Sequence, residues 1–373
     1  MITKKEIIEQ ATQLGFQDIG FTSAAPFDSQ MEILSDRREA YGKPISLLDL
    51  EGGTDPKCAL PDAKSIVVLV EEYFKESFPP VMEAHFGRCY MDDDRVTKDG
   101  LSLRVKAFRS FLRDNGIDSK VPFNMPHRLS AARAGVGTFG KNNFFYSRKL
   151  AAKSSWTLPI AIVIDQEFEP DGESIEVGCP DWCKNACIVA CPTRAIKAPN
   201  KLQPNQCISF LTYYAREITP LEWREPMGLW VFGCDHCQNV CPRNVAAKAR
   251  TLLPNPRVAA KAEYFELTRL LHMDVDYFET HIWPHMFYIQ SKNIWLWKMN
   301  AARAIGNTLD PKYVPHLIRA FGENDDERTK GMMVWSLGRI GGADAQEALN
   351  RFLPEASGLV KEEIERAISM VAN

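Results

Sequence analysis

Between positions 179 and 244 the chain gathers eight of its ten cysteines, in two sets of four that each end in Cys-Pro. The first set is Cys179, Cys183, Cys187 and Cys191, followed by Pro192. The second is Cys207, Cys234, Cys237 and Cys241, followed by Pro242. No other feature restricts the fold as strongly, because eight thiols must either cross-link, bind metal or be buried. A disulfide framework belongs to short secreted domains. This chain has 373 residues, and its start, MITKKEIIEQATQLG, carries lysines without the apolar segment of an export signal. Zinc ribbons use paired Cys-x2-4-Cys knuckles and have no need of a proline after the last ligand.

The pattern instead fits two 4Fe–4S clusters, each held by four thiolates. In two-cluster ferredoxins the cysteine before the proline ligates the other cluster. On that rule cluster one takes Cys179, Cys183, Cys187 and Cys241, and cluster two takes Cys207, Cys234, Cys237 and Cys191. The first set departs from the bacterial run in being spaced Cys-x3-Cys-x3-Cys-x3-Cys, so each of its first two loops holds one extra residue. That alters the amide hydrogen bonds available to the sulfurs, which help to set the potential. Cys58 and Cys89 are left over and read as packed thiols.

Around this stretch the periodicity predicts an α+β chain. Residues 2–15 place Ile7, Ile8, Ala11 and Leu14 on one helical face, stopped by Gly15. Strands are expected over 16–24 and 64–73, and over 155–165, where Pro159 is expected to break the strand. Helices are expected over 100–115 and from His127 to Gly135. The run GVGTFGKNN (135–143) reads as a glycine-rich turn. It is a poor phosphate loop, since no Ser or Thr follows Lys141 and a helix precedes it where a strand is required. The acidic stretch 166–178 reads as a linker, residues 92–94 as a solvated loop, and the aromatics of 246–298, Phe287 among them, as core. At the C-terminus NAARAIGN (300–307) recurs as WSLGRIGG (335–342), each followed by an amphipathic helix, the pattern of HEAT-like helical hairpins. Three consecutive domains follow: 1–168 α+β, 169–248 ferredoxin-like, and 249–373 helical. A net charge of −3 argues against a dominant nucleic-acid footprint. The C-terminal segment 291–373 is neutral, with eleven Lys/Arg against eleven Asp/Glu, so it permits nucleic-acid binding without demanding it. No apolar run approaches the ~18 residues of a membrane span, and a cytoplasmic monomer is expected.

Several segments together resemble one family. They are LGFQDIGFTSAAPF (14–27), ARAGVGTFGKNN (132–143), SSW (154–156), CPTRAI (191–196), CISFLT (207–212) and the FGCDHCQNVCPRN segment ending at Asn244. The family is that of the epoxyqueuosine reductases, cobalamin-dependent iron–sulfur enzymes that reduce a modified base in the anticodon loop of tRNA and whose core is related to reductive dehalogenases. The resemblance implies cobalamin between the N-terminal domain and the ferredoxin-like module, lined by Arg128, Gly135, Gly137, Gly140, Lys141, Asn142, Ser155, Trp156, Ser209 and Thr212. It implies electrons from a low-potential donor of ferredoxin or flavodoxin type, passed through the two clusters to cobalt, and tRNA as a partner.

One segment departs from the family pattern. The family's Val-Asp-x-x-Pro segment supplies the proton donor, and here the sequence is KVPFNMPHRLSAARAG (120–135). Its Asp position falls on Val121 and a following Glu position on His127. The candidate catalytic residues are therefore His127, which titrates near neutrality when unperturbed, and Asn124, a hydrogen-bonding group. Tyr213 and Tyr214 are further candidates. Each also has a plain packing role open to it. A dehalogenase-like enzyme acting on a small molecule, and an electron carrier that reduces a corrinoid or protein partner, are the alternatives.

Overall fold

The computed structural model describes residues 2–92, 100–149, 154–174, 178–286 and 288–371. Asp93, Asp94 and Phe287, expected in a loop and in the core, lie outside the described residues, as do positions 175–177 of the acidic linker. The chain folds into two compact units that are not consecutive in sequence. The first comprises Met1–Glu76, Thr97–Asn205 and His236–Leu252; the second comprises Ser77–Val96, Gln206–Asp235 and Leu253–Asn373. The expected boundaries at 168/169 and 248/249 both fall inside the first unit.

The first unit is built on a four-stranded antiparallel sheet. Its strands are β1 (Asp18–Ser23), β2 (Ser65–Glu72), β3 (Ser119–Lys120) and β6 (Thr157–Ile164), in the order β1-β2-β6-β3. The β-branched run of β2 is buried on both faces, as its position in the middle of the sheet requires. On one face Val67, Leu69, Ile160 and Ile162 pack with the helices Lys4–Gln13 and Leu101–Asp114. On the other, Ile66, Val68, Ala161 and Val163 pack with the helix His127–Arg133. Pro159 does not break its strand. It sits within β6 opposite Val70, and on its other side β3 reaches only Val163 and Ile164, so the missing N–H leaves no ladder bond unmade there.

The segment expected as a glycine turn is a β-hairpin. β4 (Gly137–Phe139) pairs antiparallel with β5 (Phe145–Ser147), with Thr138 opposite Tyr146. A second short hairpin, β7 (Ile196–Ala198) with β8 (Lys201–Leu202), follows the first cysteine set.

In the second unit the helices Ile294–Thr308, Val314–Gly322, Glu327–Ile340, Ala343–Phe352 and Gly358–Val371 form the repeats expected from sequence. The inner helices are buried nearly all round: Trp297, Ala301, Ile305, Val334 and Leu337 have almost no exposure, because each hairpin hides its apolar face only against the next. Asp92, expected to be solvated, is an anchor in this unit, accepting from Asn255 Nδ2 and Arg257 Nε, each at 2.9 Å. No helix among the described residues is long and apolar enough to cross a membrane.

Candidate metal centre

Four thiols of the first unit come together. Cys183, Cys187 and Cys241 are buried and Cys179 is half-buried. Burial, and then the neighbouring sulfurs of Cys179, Cys241 and Cys183, push the Cys187 thiol up to about 11. Burial also raises Cys179, with Cys183 and Cys241 adding to it against the Lys141 amide. Four neighbouring thiols of this kind could share one polynuclear centre, whose positive charge would remove their protons. No three His, Cys, Asp or Glu side chains among the described residues close round a single ion, whereas the corners of a cube stand further apart.

The local backbone accounts for this gathering. After Gly178 the chain makes a short 3-10 turn, Asp181–Cys183. Lys184 and Asn185 then both adopt left-handed conformations, at φ 47° and 57°. That reversal takes up the longer Cys183-x3-Cys187 loop and starts the short helix Ala186–Val189, which carries Cys187. Such residues cost roughly 1–2 kcal/mol each unless, like Asn, they tolerate αL. Cys191 leads into a turn in which the Ala195 N–H donates to its sulfur at 3.2 Å.

The β4–β5 hairpin forms a wall of donors. The Lys141 N–H donates to Cys179 Sγ at 3.2 Å, its ammonium lies 3.8 Å from Cys183 Sγ, and the same ammonium donates to Asn185 Oδ1 at 2.9 Å. Tyr146 Oη lies 3.2 Å from Cys241 Sγ. Nothing in the residues around Tyr146 marks it for a role. The only available signal was its alternation with Phe145 in FFYS, which turns one of the two toward the cysteines once β5 exists.

Several residues expected around a corrin have their polar groups engaged within the protein. Lys141 faces the cysteines. Asn142 bridges Tyr146 Oη, at 3.3 Å, and the Cys237 carbonyl, at 3.4 Å. Ser155 joins a buried network in which Gln238 Nε2 donates to its carbonyl (2.9 Å) and Asn244 Nδ2 to its Oγ (2.9 Å), while the Ser155 N–H donates to Asn244 Oδ1 (2.9 Å). This network fixes the turn from Cys237 to Cys241 on the end of β6. A Cβ on Gly135 or Gly137 would meet backbone oxygen at 2.0 and 2.2 Å, and one on Gly140 would meet the Tyr146 ring at 2.2 Å. These glycines serve close packing of the hairpin. Trp156 is fully buried.

Two other groups fit an amide-rich cofactor better. Ser154 Oγ is buried with no hydrogen-bond partner among the described residues, a state that calls for an outside partner. Arg128 is exposed, with its guanidinium 5.0 Å from the centre of the Phe144 ring.

Cys207 and Cys234 belong to the second unit. Cys207 caps the helix Ile208–Tyr214. Along that helix the Thr212 hydroxyl donates to the Ser209 carbonyl and accepts from the Gly233 N–H, each at 3.0 Å, while Ser209 Oγ lies 3.4 Å from Tyr90 Oη. Tyr213 and Tyr214 stack edge-on in the aromatic packing of this unit, and burial raises both phenols. Between Cys234 and Cys237, burial pushes the Asp235 carboxyl up to about 6 against the pull of Arg88, whose Nη1 is 3.1 Å away.

In the segment 120–128, Val121 packs against the sheet core. Asn124 Nδ2 donates to the Asp49 carbonyl (2.9 Å) and carboxylate (3.0 Å). His127 is the first residue of its helix. Its Nε2 donates to the Pro122 carbonyl and its Nδ1 accepts from the Ala161 N–H, both at 2.9 Å. With both nitrogens engaged by backbone, the ring is a neutral brace between this segment and β6. Burial, only partly offset by the Pro122 bond, pulls it down to about 4. The folded state therefore binds this proton less readily than the unfolded chain, and stability rises with pH through the window. About 3 kcal/mol should be present above pH 6.5 and lost as pH falls to about 4. Denaturant titrations of native protein and His127→Gln across that range should show the slope in the first and a flatter profile in the second.

Comparison with known proteins follows the same lines. Residues 180–244 match the model of a 4Fe-4S double cluster binding domain, and residues 290–369 match HEAT repeats. The epoxyqueuosine reductase of Staphylococcus aureus is 26% identical over 376 residues, covering 97% of this chain and 95% of the relative. That of Bacillus subtilis is 29% identical over 388 residues, covering 99% and 96%. A solved epoxyqueuosine reductase, in complex with an epoxyqueuosine-modified tyrosine tRNA stem loop, superposes with a TM-score of 0.84 at 28% identity, covering 99% of each chain.

Proposed function

This chain belongs to the epoxyqueuosine reductase family of oxidoreductases, and from that premise we propose that it is a cobalamin-dependent iron–sulfur reductase whose substrate is epoxyqueuosine in tRNA. The observation that carries the reading is the convergence of Cys179, Cys183, Cys187 and Cys241 beneath the donors of the β4–β5 hairpin. Those four thiolates would hold one 4Fe–4S cluster, and Cys191, Cys207, Cys234 and Cys237 would supply the ligands of the other. Arg128, on the helix His127–Arg133, and Ser154, just before β6, would hold the corrinoid. When bound, cobalamin supplies the redox-active cobalt through which electrons reach an organic substrate. The clusters draw on a low-potential donor of ferredoxin or flavodoxin type, and the protein works as a cytoplasmic monomer.

Removal of an epoxide oxygen as water takes two electrons and two protons. Val121, Asn124 and His127 provide no free acid in the segment where relatives of this family carry their aspartate. His127 and Asn124 instead hold that segment in place, His127 against β6 and Asn124 against Asp49. Asp49, exposed beside Asn124, is a carboxylate that this segment touches.

The test uses anaerobically reconstituted full-length protein. It should bind about eight iron per chain, retain added cobalamin through gel filtration, and convert epoxyqueuosine to queuosine in tRNA from a reductase-deficient host. Full loading without conversion would overturn the tRNA substrate and leave a reductase of another organic compound. Failure to retain cobalamin would remove the corrinoid from the reading.

A further inference from the structure

Tyr146 is more tightly fixed than packing alone requires. It lies on β5 with 1% of its surface exposed, and three neighbours determine where its hydroxyl points. Asn142 meets the hydroxyl at 3.3 Å through Nδ2 and at 3.4 Å through Oδ1. The Arg243 guanidinium lies 4.2 Å from the ring centroid, and its Nη1 donates to the Gly178 carbonyl at 2.6 Å, which keeps it there. Gly140 leaves the ring its space, since a Cβ there would stand 2.2 Å from Cε2. Cys241 Sγ lies 3.2 Å from the hydroxyl, and when Asn142 Nδ2 donates to the phenol oxygen the phenol proton is free to meet that sulfur.

A thiolate bound to iron has no proton to give, so in this pair the phenol is the donor. Hydrogen bonds to cluster sulfurs stabilise the more negative, reduced state and so raise the potential. The Lys141 amide on Cys179 acts in the same sense.

We propose that Tyr146 is a redox-tuning residue, whose hydroxyl donates to the Cys241 sulfur and raises the reduction potential of the cluster held by Cys179, Cys183, Cys187 and Cys241. The inference rests on the two-cluster reading above. The step it affects is one-electron reduction of that cluster by the low-potential donor; no covalent bond forms or breaks. Tyr146 acts through Cys241 and does not touch the substrate.

The experiment compares native protein with Tyr146→Phe, both full length and anaerobically reconstituted, by iron and sulfide analysis and then by an EPR-monitored redox titration. Native protein and variant should hold equal iron. One of the two one-electron steps should move to lower potential in the variant, by up to about tenfold in its equilibrium constant, about 59 mV, while the other stays. A second measurement does not depend on the variant folding. Electron–nuclear double resonance of the reduced native protein should detect a strongly coupled proton that disappears in deuterated water. Equal iron with both steps unmoved overturns the inference, as does a native spectrum without that proton. Native protein with iron for one cluster only overturns the two-cluster reading, and this inference with it.

Discussion

Alanine at Cys187 and alanine at Cys241 are expected to abolish the same cluster, although the two cysteines lie on either side of the Cys207 position. Each variant should fall from about eight iron to about four, because a cube needs all four thiolates. The double variant should lose no more than either single one. The expectation follows from the mutual influence of Cys179, Cys183, Cys187 and Cys241 on one another's ionisation. It also follows from the Ser155–Gln238–Asn244 network, which fixes the turn carrying Cys241. If each run instead held its own cluster, Cys187 and Cys241 would belong to different cubes. The double variant would then retain almost no iron. Iron and sulfide analysis of the three anaerobically prepared variants separates the two schemes, and the number of remaining EPR signals checks the result.

What could be read from sequence divides along a physical line. The strand Ser65–Glu72 and the helix Lys4–Gln13 were legible because periodicity and β-branched runs are local, and burial in a sheet or on one helical face is their direct consequence. The C-terminal hairpins were legible as a repeat for the same reason. Pro159 misled because its effect depends on which edge of β6 has a partner, and β3 is too short to reach it. The 135–143 run misled because a hairpin and a turn share glycines; only pairing with Phe145–Ser147 distinguishes them. The cysteines declared their chemistry through spacing, but the groups that act on them did not. Tyr146 stands far from Cys241 in sequence, and nothing in FFYS signals a hydroxyl aimed at sulfur. His127 was read from its ordinary titration range, which the Pro122 carbonyl, the Ala161 N–H and burial together remove.

Arg224→Ala should destabilise the second unit by up to about 3–5 kcal/mol, the cost of breaking a buried ion pair, lessened by Arg366 Nη1, which stays 2.6 Å from Glu363 Oε1. Arg224 and Glu363 are almost fully buried, and the guanidinium meets both carboxylate oxygens, Nη1 at 2.6 Å and Nη2 at 2.8 Å. The third donor, Nε, bonds the Thr219 carbonyl at 2.7 Å, and the Arg224 carbonyl in turn accepts from Asn307 Nδ2 at 2.8 Å. One side chain thus ties the short helix Leu221–Arg224 to the last helix of the repeats. Lysine cannot reproduce this fork of donors, so Arg224→Lys should lose most of the same stability. Replacing both partners is a different case. With Arg224→Met and Glu363→Leu together, no charge is left buried without a partner, and most of the loss should be recovered. Asn307 and Arg303 also donate to the Gly228 carbonyl, at 2.9 and 2.8 Å. The segment from Gly228 to Cys234 is therefore suspended from the same helices that Arg224 clamps. Loosening the clamp should accordingly speed loss of the cluster that uses Cys234, followed as the decay of its absorbance under a chelator, while the cluster of Cys179 decays at the native rate. A cost below about 1 kcal/mol for Arg224→Ala, the scale of a solvated surface pair, would show that the pair adds little. Equal decay of both clusters would show that Cys234 does not depend on it.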